Sequence, residues 1–191
     1  MEIIETILFD KELKNFKYHL NRVKNTCEYF KWKFDKEWLK LEEKIAFKQK
    51  PLRVRITYNQ FGIKEIELFD IKKREFKSFR AIEINFNYFL KKKNRKHFKK
   101  LHNTYPEDEF ILIKNNLITD TTISNLAFFD GKDWLTPKYP LLKGTKREEL
   151  LQKKLLKETN IHKSDLKYFK KIAMINAILG FKEIKNFDII F

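Results

Sequence analysis

Residues 52–58, Leu-Arg-Val-Arg-Ile-Thr-Tyr, alternate apolar and polar side chains, and residues 63–69 alternate again after Asn59-Gln60-Phe61-Gly62. Successive side chains of a strand face opposite sides of a sheet, so this period of two predicts half-buried strands. The turn residues between them predict an antiparallel hairpin. Two further hairpins follow. Phe110–Ile113 and Leu117-Ile118-Thr119 flank Asn115-Asn116, and Asp130-Gly131 joins Ser124–Phe129 to Trp134–Thr136. Asp-Gly between apolar runs is a strong hairpin signal.

Helical spacing is interleaved with these strands. Phe16, Leu20, Val23, Cys27 and Phe30 predict a helix over 15–30, and Trp38, Leu41 and Ile45 a second over 36–47, stopped by Pro51. Residues 3–9 and 79–86 read as strands. The basic run 91–100 reads as a helix with His97, Phe98 and Leu101 facing inward, ended by Pro106. A helix over 145–156 with Leu150, Leu151 and Leu155 buried, a short one capped at Ser164-Asp165, and a strand from Ile172 towards Ile178 complete the pattern. The fold class expected is α+β, in two small mixed subdomains over 1–88 and 89–191. No internal repeat or low-complexity linker interrupts them.

With 191 residues, 42% hydrophobic and 15% aromatic, the chain has ample material for a core, which excludes a disordered protein. A lone Cys27 excludes an intramolecular disulfide and a Cys-rich zinc site. No apolar run reaches the roughly 18 residues of a membrane span, and the start lacks a signal-peptide pattern, so a soluble cytoplasmic protein is expected. The 42 Lys and Arg against 26 Asp and Glu leave a net charge of +16, which suggests an anionic partner. Only seven of those cations are Arg, the better residue for bidentate recognition, and the lysines are spread along the chain. The charge is thus read mainly as a solvated surface, and nucleic acid as the lesser alternative.

Motifs with self-evident chemistry are absent. His19, His97, His102 and His162 show no metal spacing, and there is no Gly-rich phosphate loop of standard pattern. Three features remain. Arg22 lies in Tyr18-His19-Leu20-Asn21-Arg22. Gly144-Thr145-Lys146-Arg147 opens a helix, where backbone N–H groups and the helix dipole favour an anion such as phosphate. Asp120 stands at a strand end before Thr121-Thr122.

Taken in order, these segments resemble the class IV aminotransferase family, which includes branched-chain and D-amino-acid aminotransferases and 4-amino-4-deoxychorismate lyase. The resemblance runs from Glu5-Thr6-Ile7 through Tyr18–Arg22, Leu117–Phe128, Asp130–Pro137 and Pro140–Arg147 to Ile175-Asn176-Ala177. It implies a barrel-like second subdomain, pyridoxal 5'-phosphate as cofactor and no metal. It implies that Arg22 pairs with the cofactor phosphate and that Asp120 stands beside the pyridine nitrogen, where the family usually has Glu. Thr145 and Lys146 match the phosphate-holding loop, Asn176 and Ala177 a late loop near the cofactor, and Asn125 a recurring Asn beside the site. Lys91-Lys92-Lys93-Asn94-Arg95 matches the Schiff-base lysine pattern with Lys91, its neighbours Lys92 and Lys93 being a one-residue slip away.

The short form resembles lyase-like members most. The implied activity is a pyridoxal-phosphate lyase that converts 4-amino-4-deoxychorismate to 4-aminobenzoate and pyruvate for folate synthesis. The implied roles are Lys91 as catalytic base at Cα and Asp120 as partner of a protonated ring nitrogen. A class IV aminotransferase is the alternative, and an inactive or nucleic-acid-binding basic module a further one. Longer relatives have an additional N-terminal segment before the Glu-Thr, and they commonly dimerise, so a homodimer acting on a small anionic substrate is expected, with Arg53, Arg55 or Lys92 as carboxylate binders.

Overall fold

The computed structural model describes residues 1–45 and 50–191. The chain divides into two compact units, Met1–Lys73 with Leu90–Asn94, and Arg74–Phe89 with Arg95–Phe191. This differs from the division expected after residue 88. Ser78–Glu83 enters a sheet of the second unit, and Leu90–Asn94 then returns to the first.

The first unit is one antiparallel sheet with helices packed on it. Its strands are β1 (Ile3–Asp10), β2 (Glu12–Leu13), β3 (Leu52–Asn59) and β4 (Gly62–Asp70), in the order β2-β1-β3-β4. The expected hairpin is β3 with β4, in antiparallel register with a bulge between Thr57 and Tyr58. The period of two places Ile7, Phe9, Val54, Ile56 and Tyr58 in one core with Val23 and Cys27 of α1 (Phe16–Phe30) and with Trp38 and Leu41. Burying each large apolar side chain contributes about 1.5–3 kcal/mol. The Trp38 and Tyr58 rings meet edge-on at 5.2 Å. Gly62 has φ +106, and a Cβ there would stand 2.4 Å from the Asp35 carboxylate, so the hairpin tip requires glycine.

The expected helix over 36–47 is a 3-10 turn, Lys36–Lys40, that becomes α2 (Leu41–Ile45); residues 46 and 47 lie outside the described ones. The basic run departs further from expectation. Lys91 to Lys93 are not helical: Lys92 N–H turns back to the Leu90 carbonyl at 2.8 Å, and the segment bridges to β1, with Ile4 N–H donating to the Lys91 carbonyl at 2.9 Å and Lys93 N–H to the Glu2 carbonyl at 3.0 Å. Only from Lys96 does the run become helical.

The second unit holds two sheets. One orders β13 (Asp188–Ile190), β5 (Ser78–Glu83), β6 (Glu109–Lys114) and β7 (Leu117–Ile118). The other orders β10 (Lys157–Thr159), β9 (Trp134–Pro137), β8 (Asn125–Phe129), β11 (Lys171–Asn176) and β12 (Gly180–Ile184). Leu126, Phe128, Ile172 and Met174 face a core shared with Phe79, Ile111 and Ile113 of the other sheet. Their neighbours Ala127, Ala173 and Ile175 face Leu150 of α4 (Thr145–Gln152) and Leu156. Phe110 and Leu112 pack on Phe98 of α3 (Lys96–Thr104). The central strands are therefore buried on both faces, which is why they read as continuous apolar runs. Asn115 and Asn116 both have positive φ, 51 and 63, as a two-residue hairpin turn requires.

Several boundaries are shorter than the sequence suggests. The strand at 79–86 ends at Glu83, and α4 ends at Gln152, where Lys154 with φ 57 turns the chain and leaves Leu155 exposed. His97 is exposed and stacks on Phe86 at 4.8 Å rather than entering a core. The strand from Ile172 stops at Asn176. The fold is α+β, with a barrel-like second unit. No helix among the described residues is long and apolar enough to cross a membrane.

Candidate active site

On the first unit, Arg22 reaches from α1 to Glu5 on β1. Its Nε donates to Glu5 Oε1 at 2.9 Å and its Nη2 to Oε2 at 2.5 Å. His19, one turn earlier on the same helix face, donates Nδ1–H to Glu5 Oε2 at 2.6 Å. Glu5 and His19 are wholly buried, and the Arg22 side chain keeps 15% of its exposure. Burial alone would push the Glu5 carboxyl up. The Arg22 charge and the His19 hydrogen bond outweigh it and hold Glu5 well below the usual carboxylate range. Burial pushes His19 down, so it is the neutral donor of the pair. The Arg22 guanidinium thus meets both Glu5 oxygens, the paired geometry in which Arg binds a carboxylate most strongly.

The three consecutive lysines separate in this unit. Lys91 is half-buried and its charge bears on His19, so it belongs with the Glu5–His19–Arg22 cluster. Lys93 instead pairs at the surface with Glu2 at 3.4 Å and Glu65 at 3.3 Å. Lys92 lines a shallow surface depression with Met1, Glu2, Lys93 and Asn94.

On the second unit, Asp120 follows β7 and is 4% exposed. Its Oδ1 accepts from Asn125 Nδ2 at 2.6 Å and its Oδ2 from Leu142 N–H at 2.9 Å. Asn125 Nδ2 also donates to the Leu142 carbonyl at 2.8 Å. Burial drives the Asp120 carboxyl up to about 7, against the opposing pull of the Leu142 and Asn125 hydrogen bonds and the Arg147 charge. Gly144 stands against this pair: a Cβ there would lie 2.0 Å from Asn125 Oδ1. Only a glycine lets the start of α4 come this close to Asn125.

Thr145 is buried as the first residue of α4. The helix ladder begins with Glu148 N–H on the Gly144 carbonyl. The Lys146 ammonium turns along its own helix to Glu149 at 2.7 Å. Arg147, 2% exposed, is committed inward: it donates to the Pro137 carbonyl at 2.8 Å and to Glu158 at 2.6 Å.

The Asn176 side chain is engaged in its own turn. Its Oδ1 accepts from Ile178 and Leu179 N–H at 2.9 and 2.7 Å, and its Nδ2 donates to the Ile123 carbonyl at 3.2 Å. The side chain forms the turn between β11 and β12 and ties it to the 120–125 loop. Among the described residues no cluster of three or more His, Cys, Asp or Glu could hold a metal ion.

Sequence reasoning missed three buried groups. Glu5 occupies an inward position of the alternating Ile3, Glu5, Ile7, Phe9 series, where an acid needs a partner. His19 is that partner's companion one turn from Arg22. Glu109, wholly buried, opens the apolar run Phe110–Ile113 and accepts from Thr122 N–H and Oγ1 at 3.1 and 2.7 Å.

Comparisons with known proteins bear on the family and the fold. The model of the amino-transferase class IV family matches residues 85–187. An uncharacterized protein of Haemophilus influenzae is 37% identical over 131 residues, 68% of this chain and 69% of that one. A Schizosaccharomyces pombe protein named "Putative aminodeoxychorismate lyase" is 26% identical over 92% of this chain and 85% of its own. A crystal structure from Haemophilus somnus, titled as a "putative 4-amino-4-deoxychorismate lyase", superposes with TM-score 0.85 at 29% identity, covering 94% of this chain and 97% of that one. A hypothetical aminotransferase of Mycobacterium tuberculosis, solved in a pyridoxal-phosphate-bound form, shares the fold at 14% identity and TM-score 0.80, over 98% and 81% of the two chains. The chain belongs to the amino-transferase class IV family and is an enzyme built on the fold of the fold-type IV pyridoxal-phosphate enzymes.

Proposed function

We propose that this enzyme is a pyridoxal-phosphate-dependent lyase that converts 4-amino-4-deoxychorismate to 4-aminobenzoate and pyruvate, a step of folate synthesis. The observation that carries the cofactor reading is Asp120. It is a buried carboxyl raised to about 7, and its hydrogen-bond partners are a carboxamide and a backbone N–H rather than a cation. A protonated pyridine nitrogen is the kind of group such an acid accommodates. The residues present therefore fit the cofactor. The lyase reading is supported by the names of the similar proteins from S. pombe and H. somnus.

Bound pyridoxal phosphate supplies an electron sink for the negative charge that develops at the substrate carbon bearing the amine. Asp120 would accept the ring N–H, with Asn125 and Leu142 fixing the carboxyl. The N–H groups of Thr145 and Lys146 would donate to the phosphate at the start of α4. Resemblance to the family assigns Arg22, which Glu5 holds, to the cofactor phosphate. Lys91 Nζ would hold the cofactor between turnovers and move the proton of the amine-bearing carbon. The atoms of the substrate are divided between the two products, so the lyase needs no amino acceptor.

The test is a product assay on the purified protein loaded with pyridoxal phosphate. A lyase releases 4-aminobenzoate and pyruvate in equal amounts with no keto acid added. Turnover that requires a keto acid and transfers the amine would replace this reading with an aminotransferase.

A further inference from the structure

Beyond the residues that would touch a cofactor, the second unit contains a buried acid with no role so far. Glu109 is 0% exposed at the start of β6. Its Oε1 accepts three hydrogen bonds: from Phe110 N–H at 3.0 Å, from Thr122 N–H at 3.1 Å and from Thr122 Oγ1–H at 2.7 Å. Its Oε2 is buried and takes none. An acid desolvated this fully is costly unless it fixes something in return.

What it fixes is the tip of the 120–125 loop. Asp120 and Asn125 close the base of that loop as a bridge pair. Thr121 Oγ1 accepts from the N–H groups of Ile123 and Ser124 at 3.2 and 3.0 Å and so bends the chain. Thr122 at the tip is held from three directions: Glu109 takes its N–H and hydroxyl, Arg95 donates to its carbonyl, and His102 Nε2 lies 3.1 Å from its hydroxyl oxygen. A hydroxyl has one proton, and Glu109 takes it, so His102 must be the donor in the last contact. The loop thus has a clamped tip two residues from the carboxyl at its base.

We propose that Glu109 is a positioning residue: acting through Thr122, it holds the 120–125 loop so that the Asp120 carboxyl is fixed for the pyridine nitrogen, with Arg95 and His102 completing the clamp. This rests on the cofactor reading above. A carboxyl that must meet a ring N–H in one geometry gains from a support of this kind, as ligating groups at other sites do from the groups behind them.

Two measurements on wild type, Glu109→Leu, Glu109→Gln and Thr122→Val test it: amide exchange on the cofactor-free protein, and pyridoxal phosphate binding followed by visible absorption. Glu109→Leu is expected to speed exchange at residues 121–125 relative to β11 and to weaken pyridoxal phosphate binding by about tenfold, the size of one lost charge-assisted hydrogen bond. Its bound-cofactor absorption band should also shift. Glu109→Gln keeps the accepting oxygen and should restore affinity to within about threefold of wild type. Where the Leu variant does not fold, Thr122→Val decides, since it removes the hydroxyl and keeps the N–H. Unchanged loop exchange, or faster exchange with unchanged affinity and spectrum, overturns the proposal. A wild type that binds no pyridoxal phosphate overturns the cofactor reading instead, and the exchange result still decides whether Glu109 holds the loop.

Discussion

The Asp120 carboxyl and the Asn125 carboxamide are joined at 2.6 Å across the base of one loop, and a single methyl group added at Gly144 would collide with that carboxamide. Gly144 has φ −77 and ψ 141, values any residue adopts, so the collision is steric and not conformational. Gly144→Ala is therefore expected to displace Asn125 and to cost about 1–3 kcal/mol through the hydrogen bonds it loses. In chemical denaturation, Gly144→Ala combined with Asn125→Ala should cost clearly less than the sum of the two single changes. Additive costs would show that the two residues do not act on each other.

Asp120 also sets a pH dependence in the cofactor-free protein. Its folded value is about 7 and its ordinary value 3.8, so between these the folded state binds the extra proton. Stability from this group is full below pH 3.8 and is lost as pH rises through about 7. Asp120→Asn should remove that component, so the stability difference between variant and wild type should shift in the variant's favour from pH 4 to pH 8 by on the order of 2–4 kcal/mol. Denaturation midpoints that move in parallel for the two proteins would contradict this.

Glu5 behaves in the opposite sense. Its folded value lies well below its ordinary 4.5 because Arg22 and His19 outweigh burial. Its contribution is present above pH 4.5 and declines as the pH falls below it. Removing the cation should expose the cost: Arg22→Ala leaves a buried carboxylate with one neutral partner and is expected to lose about 3–5 kcal/mol at pH 7. Glu5→Gln on that background should recover part of the loss, as read by urea denaturation.

Arg147 offers a contrast within the segment that opens α4. Its guanidinium is buried on Pro137, Thr136 and Glu158, so its role is to fasten α4 to β9 and β10. Arg147→Ala should lower stability by about 2–4 kcal/mol at neutral pH, whereas Lys146→Ala should change it by under about 1 kcal/mol. Thermal or urea melts of the two variants check the ranking.

The elements that could be read from the sequence are those with a long internal period. α1 and the β3–β4 hairpin stand where the spacing placed them, because burial on one face imposes the period directly. The elements that could not be read are held by partners distant in the chain. Lys91 to Lys93 look helical by composition but form a turn bridged to β1, since their backbone bonds go to Leu90 and to residues 2 and 4. β10 and β13 are three residues each and pair in parallel with β9 and β5, without a pattern of their own. The proposed site follows the same rule. Arg22 and Asp120 are singled out by resemblance to a family, not by spacing. Glu5, His19 and Glu109 are hidden in the sequence because a buried polar group is recognisable only once its partner is known.

The most direct test of the central claim is covalent trapping of the cofactor. Purified protein incubated with pyridoxal phosphate should turn yellow, and after borohydride reduction and proteolysis the cofactor mass should be found on Lys91. Lys91→Ala should abolish the label, while Lys92→Ala and Lys93→Ala should keep it. A protein that stays colourless and unlabelled would contradict the account, and a label on Lys92 or Lys93 would contradict the assignment of Lys91.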